Sequence, residues 1–320
     1  MTSRRQARTA ARRRKRRIRR VALTLVLVLA LAGAWAYHSG SAAGHRSAPV
    51  SATASPTPAV DLDARLADAV QDAVRDADGH VAVGVLDPLS GASADYGTDS
   101  FVTASIVKVD VLATLLWENS GELTAQQKAD AVLMIENSDN DATTRLWQAV
   151  GADEGLDRAN TAFGLSATTA GTEGYWGLTT TTAADQLQLL RTVFEDDSVL
   201  DAPSRTYLQG LMGKIATDQD WGVSAADDTG AVHLKNGWLP RTAEGEWVIN
   251  SIGRVVHDGR ELLVTVLTDG STTKEAGIAL VESVAEAATD GFTAATGTGT
   301  GATGTPAASG SPAPEATTQR

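Results

Sequence analysis

The chain has 320 residues, 42% of them hydrophobic and 21% charged, which is length and apolar material enough for a sizeable core. It contains no cysteine, and this excludes a disulfide scaffold, thiolate metal sites, a thiol nucleophile and a lipid-bearing cysteine anchor. The net charge of −12 conceals two opposite parts: residues 1–20 carry eleven Arg or Lys and no acid, whereas residues 61–292 carry 14 basic against 38 acidic side chains. A folded part this acidic excludes nucleic acid as a partner, because such binding needs a basic footprint.

Behind the basic head, residues 1–20, comes the apolar run Val21–Tyr37. Its seventeen residues sit at the short end of a bilayer span, and the Arg block keeps its own side cytoplasmic. Residues 21–37 read as a transmembrane signal anchor, or as a signal peptide if the small-x-small site Ala34-Trp35-Ala36 is cut. Either way, the chain beyond Tyr37 is expected outside the cytoplasm, membrane-anchored or secreted. Residues 38–60, rich in Ser, Ala, Pro and Thr, read as a flexible linker. Residues 293–320 are nearly all Thr, Ala, Gly, Ser and Pro and cannot build a core. One folded unit, residues 61–292, lies between them.

Within that unit Leu62, Leu66, Val70 and Val74 recur every four residues and predict a helix from Leu62 to Ala77. A strand comes next at His80–Leu86, then a turn at Asp87–Gly91 and a second strand through Tyr96. From Ala104 to about Gly213 the pattern is mostly helical. Strand signals return at Ala231–Lys235, Trp247–His257 and Glu261–Thr268, the last two joined by the turn Asp258-Gly259. A last amphipathic helix runs from Lys274 to Ala288. Strands at both ends with helices between them predict an α+β fold, an antiparallel sheet flanked by helices plus an inserted all-helical subdomain. A monomer is expected.

The chemistry centres on Ser105-Ile106-Val107-Lys108, which opens a helix running to Trp117 that is apolar on almost every side. A lysine in a buried helix is anomalous. Burial and the positive end of the helix dipole both disfavour its ammonium form. A neutral amine one turn from Ser105 could take the hydroxyl proton and so activate a weak nucleophile. The S-x-x-K pattern alone is not specific. Ser271-Thr272-Thr273-Lys274 repeats it at a turn where a helix cap and a solvated lysine explain it. Two further polar groups come after Ser105 in order: Ser138-Asp139-Asn140 after a helical run, and Lys235-Asn236-Gly237 at the end of a strand.

The ordered set S-x-x-K, S-D-N and K-x-G resembles the signature of serine penicillin-binding proteins and class A β-lactamases, the class A branch most closely. The resemblance runs from about Asp61 to Asp290 and extends to Phe101, to Thr179–Asp185 and to Asn250-Ser251-Ile252-Gly253. It implies that Ser105 attacks a carbonyl, that Lys108 helps take its proton, and that Ser138 relays a proton to the leaving nitrogen. It further implies that Asn140 binds the substrate's amide side chain and that Lys235 attracts its carboxylate and polarises Ser138, with Asn236 and Gly237 beside it at the substrate. The backbone N–H groups of Ser105 and Trp238 would form the oxyanion hole. The implied substrate is a small-molecule β-lactam or a cell-wall peptide amide, with no cofactor and no metal. A penicillin-binding or sensor protein that deacylates poorly, or a D-alanyl peptidase or esterase on the same fold, are the alternatives.

Four departures from the family pattern bear on function. The interval between Lys108 and Ser138 is short, so the helical subdomain is trimmed. Position 236 is Asn rather than Thr or Ser. Glu246 falls near the place of the family's arginine, leaving Arg241 to bind the substrate carboxylate. The E-x-x-L-N loop is replaced by Thr172–Leu178, in which Glu173 is the candidate base for deacylation. The five His are too scattered for a triad or a metal site, although His233 shares a strand face with Lys235.

Overall fold

A computed structural model describes residues 60–297, apart from 76, 78 and 242–244. The basic head, the apolar run 21–37, the linker up to residue 59 and the tail beyond 297 lie outside the described residues. None of the described helices is long and apolar enough to cross a membrane.

Helix α1 (Leu62–Val74) starts at Asp61, whose carboxylate accepts from the Ala64 N–H at 3.1 Å and caps the first turn. It buries Leu66 and Val70, the centre of the predicted stripe. Strand β1 (Val81–Leu86) is buried throughout, and β2 (Ser93–Tyr96) returns along its edge. The other three strands come from the far end of the chain: β5 (His233–Arg241), β6 (Glu246–His257) and β7 (Arg260–Ser271). They assemble as the antiparallel order β2-β1-β7-β6-β5, so the central strand β7 pairs with β1 on one side and β6 on the other. Between the two sets lie α2 (Val107–Glu118), α3 (Ala125–Glu136), α4 (Asn140–Ala149), α5 (Ala152–Phe163), α6 (Ala183–Phe194) and α7 (Ala202–Met212). A short ribbon of β3 (Phe101–Val102) and β4 (Thr180–Thr181) stands beside them. The fold is the expected α+β arrangement with a helical insertion.

Strand alternation builds a core on each face of the sheet. Val83, Val85, Leu262, Val264 and Val266 pack toward α1 and the last helix, α8 (Lys274–Gly297). Ala82, Leu86, Leu263 and Leu267 pack toward the helical insertion around α2. Strand β7 runs three residues past its predicted end, and two elements go further. Strand β5 continues to Arg241 because its ladder with β6 holds as far as Arg241↔Glu246, through Gly237 and Pro240. Helix α8 passes Phe292 and reaches Gly297. Its threonines return their hydroxyls to helix carbonyls, Thr293 to Thr289 at 2.8 Å and Thr296 to Phe292 at 2.7 Å.

Helix α2 is buried on every side and includes the carboxyl of Asp110, which meets the Asn160 amide nitrogen at 2.9 and 3.1 Å. Burial first, and then the charges of Asp157 and Asp185, push its pKa up to about 8. A carboxyl whose folded value lies above its unfolded value loses stability for the protein as pH rises from the unfolded toward the folded pKa. Asp110→Asn removes that loss. The variant is expected to match wild type near pH 4 and to gain about 3–4 kcal/mol on it between pH 5 and 8. Urea unfolding across that range checks it, and a gap that does not widen with pH refutes it.

Candidate active site

The residues around Ser105 are held in an unusual local shape. Ala104 has φ 49, a left-handed conformation that is costly for a residue with a side chain. It turns the chain from β3 into a single 3-10 turn, Ala104–Ile106, which continues as α2. Neighbours enforce the turn. The Thr103 N–H donates to the Thr179 carbonyl at 2.8 Å. The Asn250 amide nitrogen donates to the carbonyls of Val102 and Thr103 at 2.9 and 3.1 Å, while its oxygen accepts from the Thr268 N–H. Asn250 is thus a fully buried clamp between the sheet and the segment before Ser105. Ser105 itself is half-buried, and among the described residues its hydroxyl makes no hydrogen bond.

Lys108 lies one turn later and has no exposed surface. Its Nζ is 2.6 Å from the Ser138 carbonyl, 3.0 Å from Ser138 Oγ and 2.9 Å from Asn140 Oδ1. Ser138 supplies two of these three oxygens because it too is left-handed, φ 56, at the junction of α3 and α4. Asp139 caps α4 by accepting from the Ala142 N–H at 2.7 Å, which fixes the turn that presents Ser138 and Asn140. Burial lowers the Lys108 pKa to about 7, with the Asp139 charge opposing it. The amine is therefore divided between its two forms near neutral pH. In the neutral form Ser138 Oγ can be the donor across the 3.0 Å contact.

Lys235 enters from β5 and is also fully buried. Its Nζ donates to the Asn236 carbonyl at 3.1 Å and reaches Gln219 Oε1 at 3.5 Å. Burial and then the nearby Lys108 charge push its pKa well below the usual lysine range. Gln219, which belongs to none of the sequence motifs, ties the site together: its amide nitrogen donates to the Asn137 carbonyl, one residue before Ser138. Gly237 is required by close approach. A Cβ there would stand 2.8 Å from the Ser105 nitrogen and 2.7 Å from the Thr103 carbonyl oxygen. Gly237→Ala is expected to destabilise the protein by about 1–3 kcal/mol, as overpacking does. It should also slow acylation, because the Ser105 backbone has to move. Thermal unfolding and labelling rates measured together check this.

The structure brings Ser105, Lys108, Ser138, Asn140, Lys235 and Gly237 to one junction, where β5 and the Ser105 turn meet the α3–α4 turn. Trp238 comes directly after Gly237 on the strand, with its ring packed 6.0 Å from that of Trp221 on the opposite sheet face.

Two expectations are corrected, and a third residue, Glu173, is located. Asn236 does not face a substrate. Strand alternation turns it away from Lys235 to the opposite sheet face, and its amide nitrogen is spent on the carbonyls of Gln219 and Trp221 at 2.7 and 3.0 Å. Arg241 is exposed at the far end of β5, six residues and roughly 20 Å along the strand from Lys235, too far to share a small substrate with it. Glu173 is exposed and makes no hydrogen bond or ion pair among the described residues. The group of its loop that reaches the site is Trp176. Its ring centroid lies 5.0 Å from Lys108 Nζ, and its indole N–H donates to Thr144 Oγ1 at 3.2 Å.

Three residues outside the junction also find their places. His233 packs edge-on to Phe194 and against Arg254, a structural role. In the second S-x-x-K, Thr273 caps α8, and the partly exposed Lys274 lies 4.1 Å over the Trp238 ring.

An antiparallel sheet with a helical insertion, and a buried lysine joining two serine-bearing turns where they meet, define a serine hydrolase of the β-lactamase type. The model of the β-lactamase enzyme family matches residues 122–292, and the chain belongs to that family. The matched stretch contains Ser138, Asn140 and Lys235–Trp238 and opens after Ser105 and Lys108. The fold is similar to a class A β-lactamase from Bacteroides cellulosilyticus, at 18% identity and TM-score 0.62 over 73% of this chain and 99% of that one. It is similar to a β-lactamase from Xanthomonas campestris, at 22% identity and TM-score 0.61 over 72% and 99% of the two chains. A mutant of PBP-A, solved as its acyl-enzyme complex with penicillin G, matches at 20% identity and TM-score 0.61 over 72% of this chain and 96% of that one. No curated protein matches the chain.

Proposed function

We propose that this protein acts outside the cytoplasm as an acyl-transfer enzyme whose Ser105 forms an acyl-enzyme with β-lactams or related cell-wall peptide amides. The observation that carries this reading is Lys108: unexposed, one turn after Ser105, and within 3.0 Å of Ser138 Oγ. In the proposed step Ser105 Oγ bonds to the substrate carbonyl carbon and its proton passes to the Lys108 amine. The carbonyl oxygen takes the charge beside the Ser105 and Trp238 N–H groups. On collapse the C–N bond breaks, and the nitrogen takes a proton through Ser138. Asn140 has its side-chain oxygen on Lys108, which leaves its amide nitrogen for a substrate carbonyl. Lys235 supplies positive charge for a substrate carboxylate. The exported location rests on the Arg-rich head and the apolar run 21–37.

The same reading holds that the acyl-enzyme clears slowly. The one carboxylate of the loop, Glu173, faces solvent, and an indole rather than a base stands beside Lys108. A chromogenic cephalosporin should therefore give a burst of one product per enzyme and then slow turnover, unchanged in Glu173→Gln. Fast steady turnover that Glu173→Gln abolishes would overturn slow clearance and restore Glu173 as the base. Absence of any adduct on Ser105 would overturn the proposed function itself.

A further inference from the structure

We propose that Trp176 is a positioning residue that keeps water off the Lys108 amine and thereby holds it in the proton-accepting form. The inference deepens the reading of Lys108 given above and rests on it. Trp176 sits in the 3-10 turn Trp176–Leu178, between Gly174 and Gly177, in a loop whose Tyr175 and Leu178 are exposed. Trp176 alone of these turns inward, and three features hold it there. Its indole nitrogen is bound to Thr144 on α4. The Thr179 hydroxyl donates to the Trp176 carbonyl at 2.8 Å. Gly171 lets the loop close, since a Cβ there would stand 2.2 Å from the Tyr175 carbonyl oxygen. The chain thus uses three specific contacts to lay an aromatic face against a lysine.

An indole face also attracts an ammonium ion, which would favour the charged form. That attraction is weaker than the hydration a covered ammonium gives up, so covering a lysine on balance favours its neutral form. Few charges compete near the amine. Asp139 at the start of α4 favours the ammonium, and Lys235 on β5 disfavours it. Asp110 is two residues further along α2, on its opposite side, with Asp157 of α5 and Asp185 of α6 around it. Arg205 of α7 is paired with Asp196, Arg158 of α5 with Glu118, and Asp130 of α3 with Arg145. Glu173 of the same loop is exposed. No carboxylate pairs with the Lys108 amine among the described residues, so its cover is what decides how much water it meets.

The test reads the amine directly. The full-length protein is labelled with 13C at the lysine ε-carbon, and Lys108 is identified among its six lysines by its absence from Lys108→Met. Its signal should titrate near pH 7 in wild type and in Trp176→Phe, which keeps an aromatic cover. In Trp176→Ala the midpoint should rise by a pH unit or more. In parallel, the pH profile for acylation by a fluorescent penicillin should move upward by the same amount in Trp176→Ala, a loss of rate of about fivefold or more at pH 7. A Lys108 midpoint that stays put or falls in a folded Trp176→Ala overturns the inference, as does one that rises equally in Trp176→Phe. If wild type is not acylated at any pH, the proposed function fails, and the lysine titration still decides the role of Trp176.

Discussion

Ser105→Ala is expected to abolish the covalent adduct with a fluorescent penicillin, while Ser271→Ala leaves labelling at the wild-type level. Both serines start an S-x-x-K, so the pair separates the pattern from its setting. Ser105 comes directly after a strained residue, and its lysine has no exposed surface. Ser271 ends β7, and its lysine lies over Trp238. Without Oγ at position 105 there is no atom to carry the acyl group, so the loss is complete rather than partial. Gel fluorescence on the two variants checks this. A residual adduct on Ser105→Ala would place the nucleophile elsewhere.

Lys108→Met should combine a large loss of activity with a distinctive change in stability. Loss of a positioned general base, the role proposed for Lys108, slows acylation by about 10²–10⁴-fold. The stability effect has a definite sign. A lysine whose folded pKa lies near 7, below an unfolded value of 10.5, binds fewer protons folded than unfolded between those values. Wild type therefore gains stability as pH rises from about 7 to 10.5, by up to about 1.4 kcal/mol per unit, and Met at 108 does not. The stability of wild type relative to the variant should be lowest at or below pH 7 and should improve toward pH 10. Denaturant unfolding at pH 6.5 and 9.5 gives the comparison. A difference that does not change with pH would mean that Lys108 is not held near neutrality.

Much of this site was legible in the sequence because its parts violate local expectation. A lysine inside Val107–Leu116 stands out against apolar neighbours. The sheet was legible because its strands keep period two and β6 and β7 are joined by Asp258-Gly259. For Asn236 two signals conflicted: the K-x-G pattern spoke for the substrate, and the pleat, which sets adjacent residues on opposite faces, spoke against it and prevailed. Arg241 was misplaced because Gly237 and Pro240 hid the length of β5, and with it the distance from Lys235. Trp176 and Gln219 gave no local signal. Each sits in a loop without periodicity and acts through a partner far along the chain, Thr144 and Lys108 for the indole, Asn137 and Lys235 for the amide.

The order of strands in the sheet also constrains how the chain comes to be folded. Strand β7, at the centre, pairs Val81 with Thr268, two positions at opposite ends of the domain. A nascent chain that has reached Met212 holds every helix of the insertion but only the β1–β2 pair of the five-stranded sheet. The surface meant for β7 then lies open, and closing so long a loop is slow. Folding of this domain must therefore wait for its C-terminal strands, and the junction of Ser105 and Lys235 does not exist before β7 has been made. A chain cut short before β7 would have every candidate site residue and no assembled site.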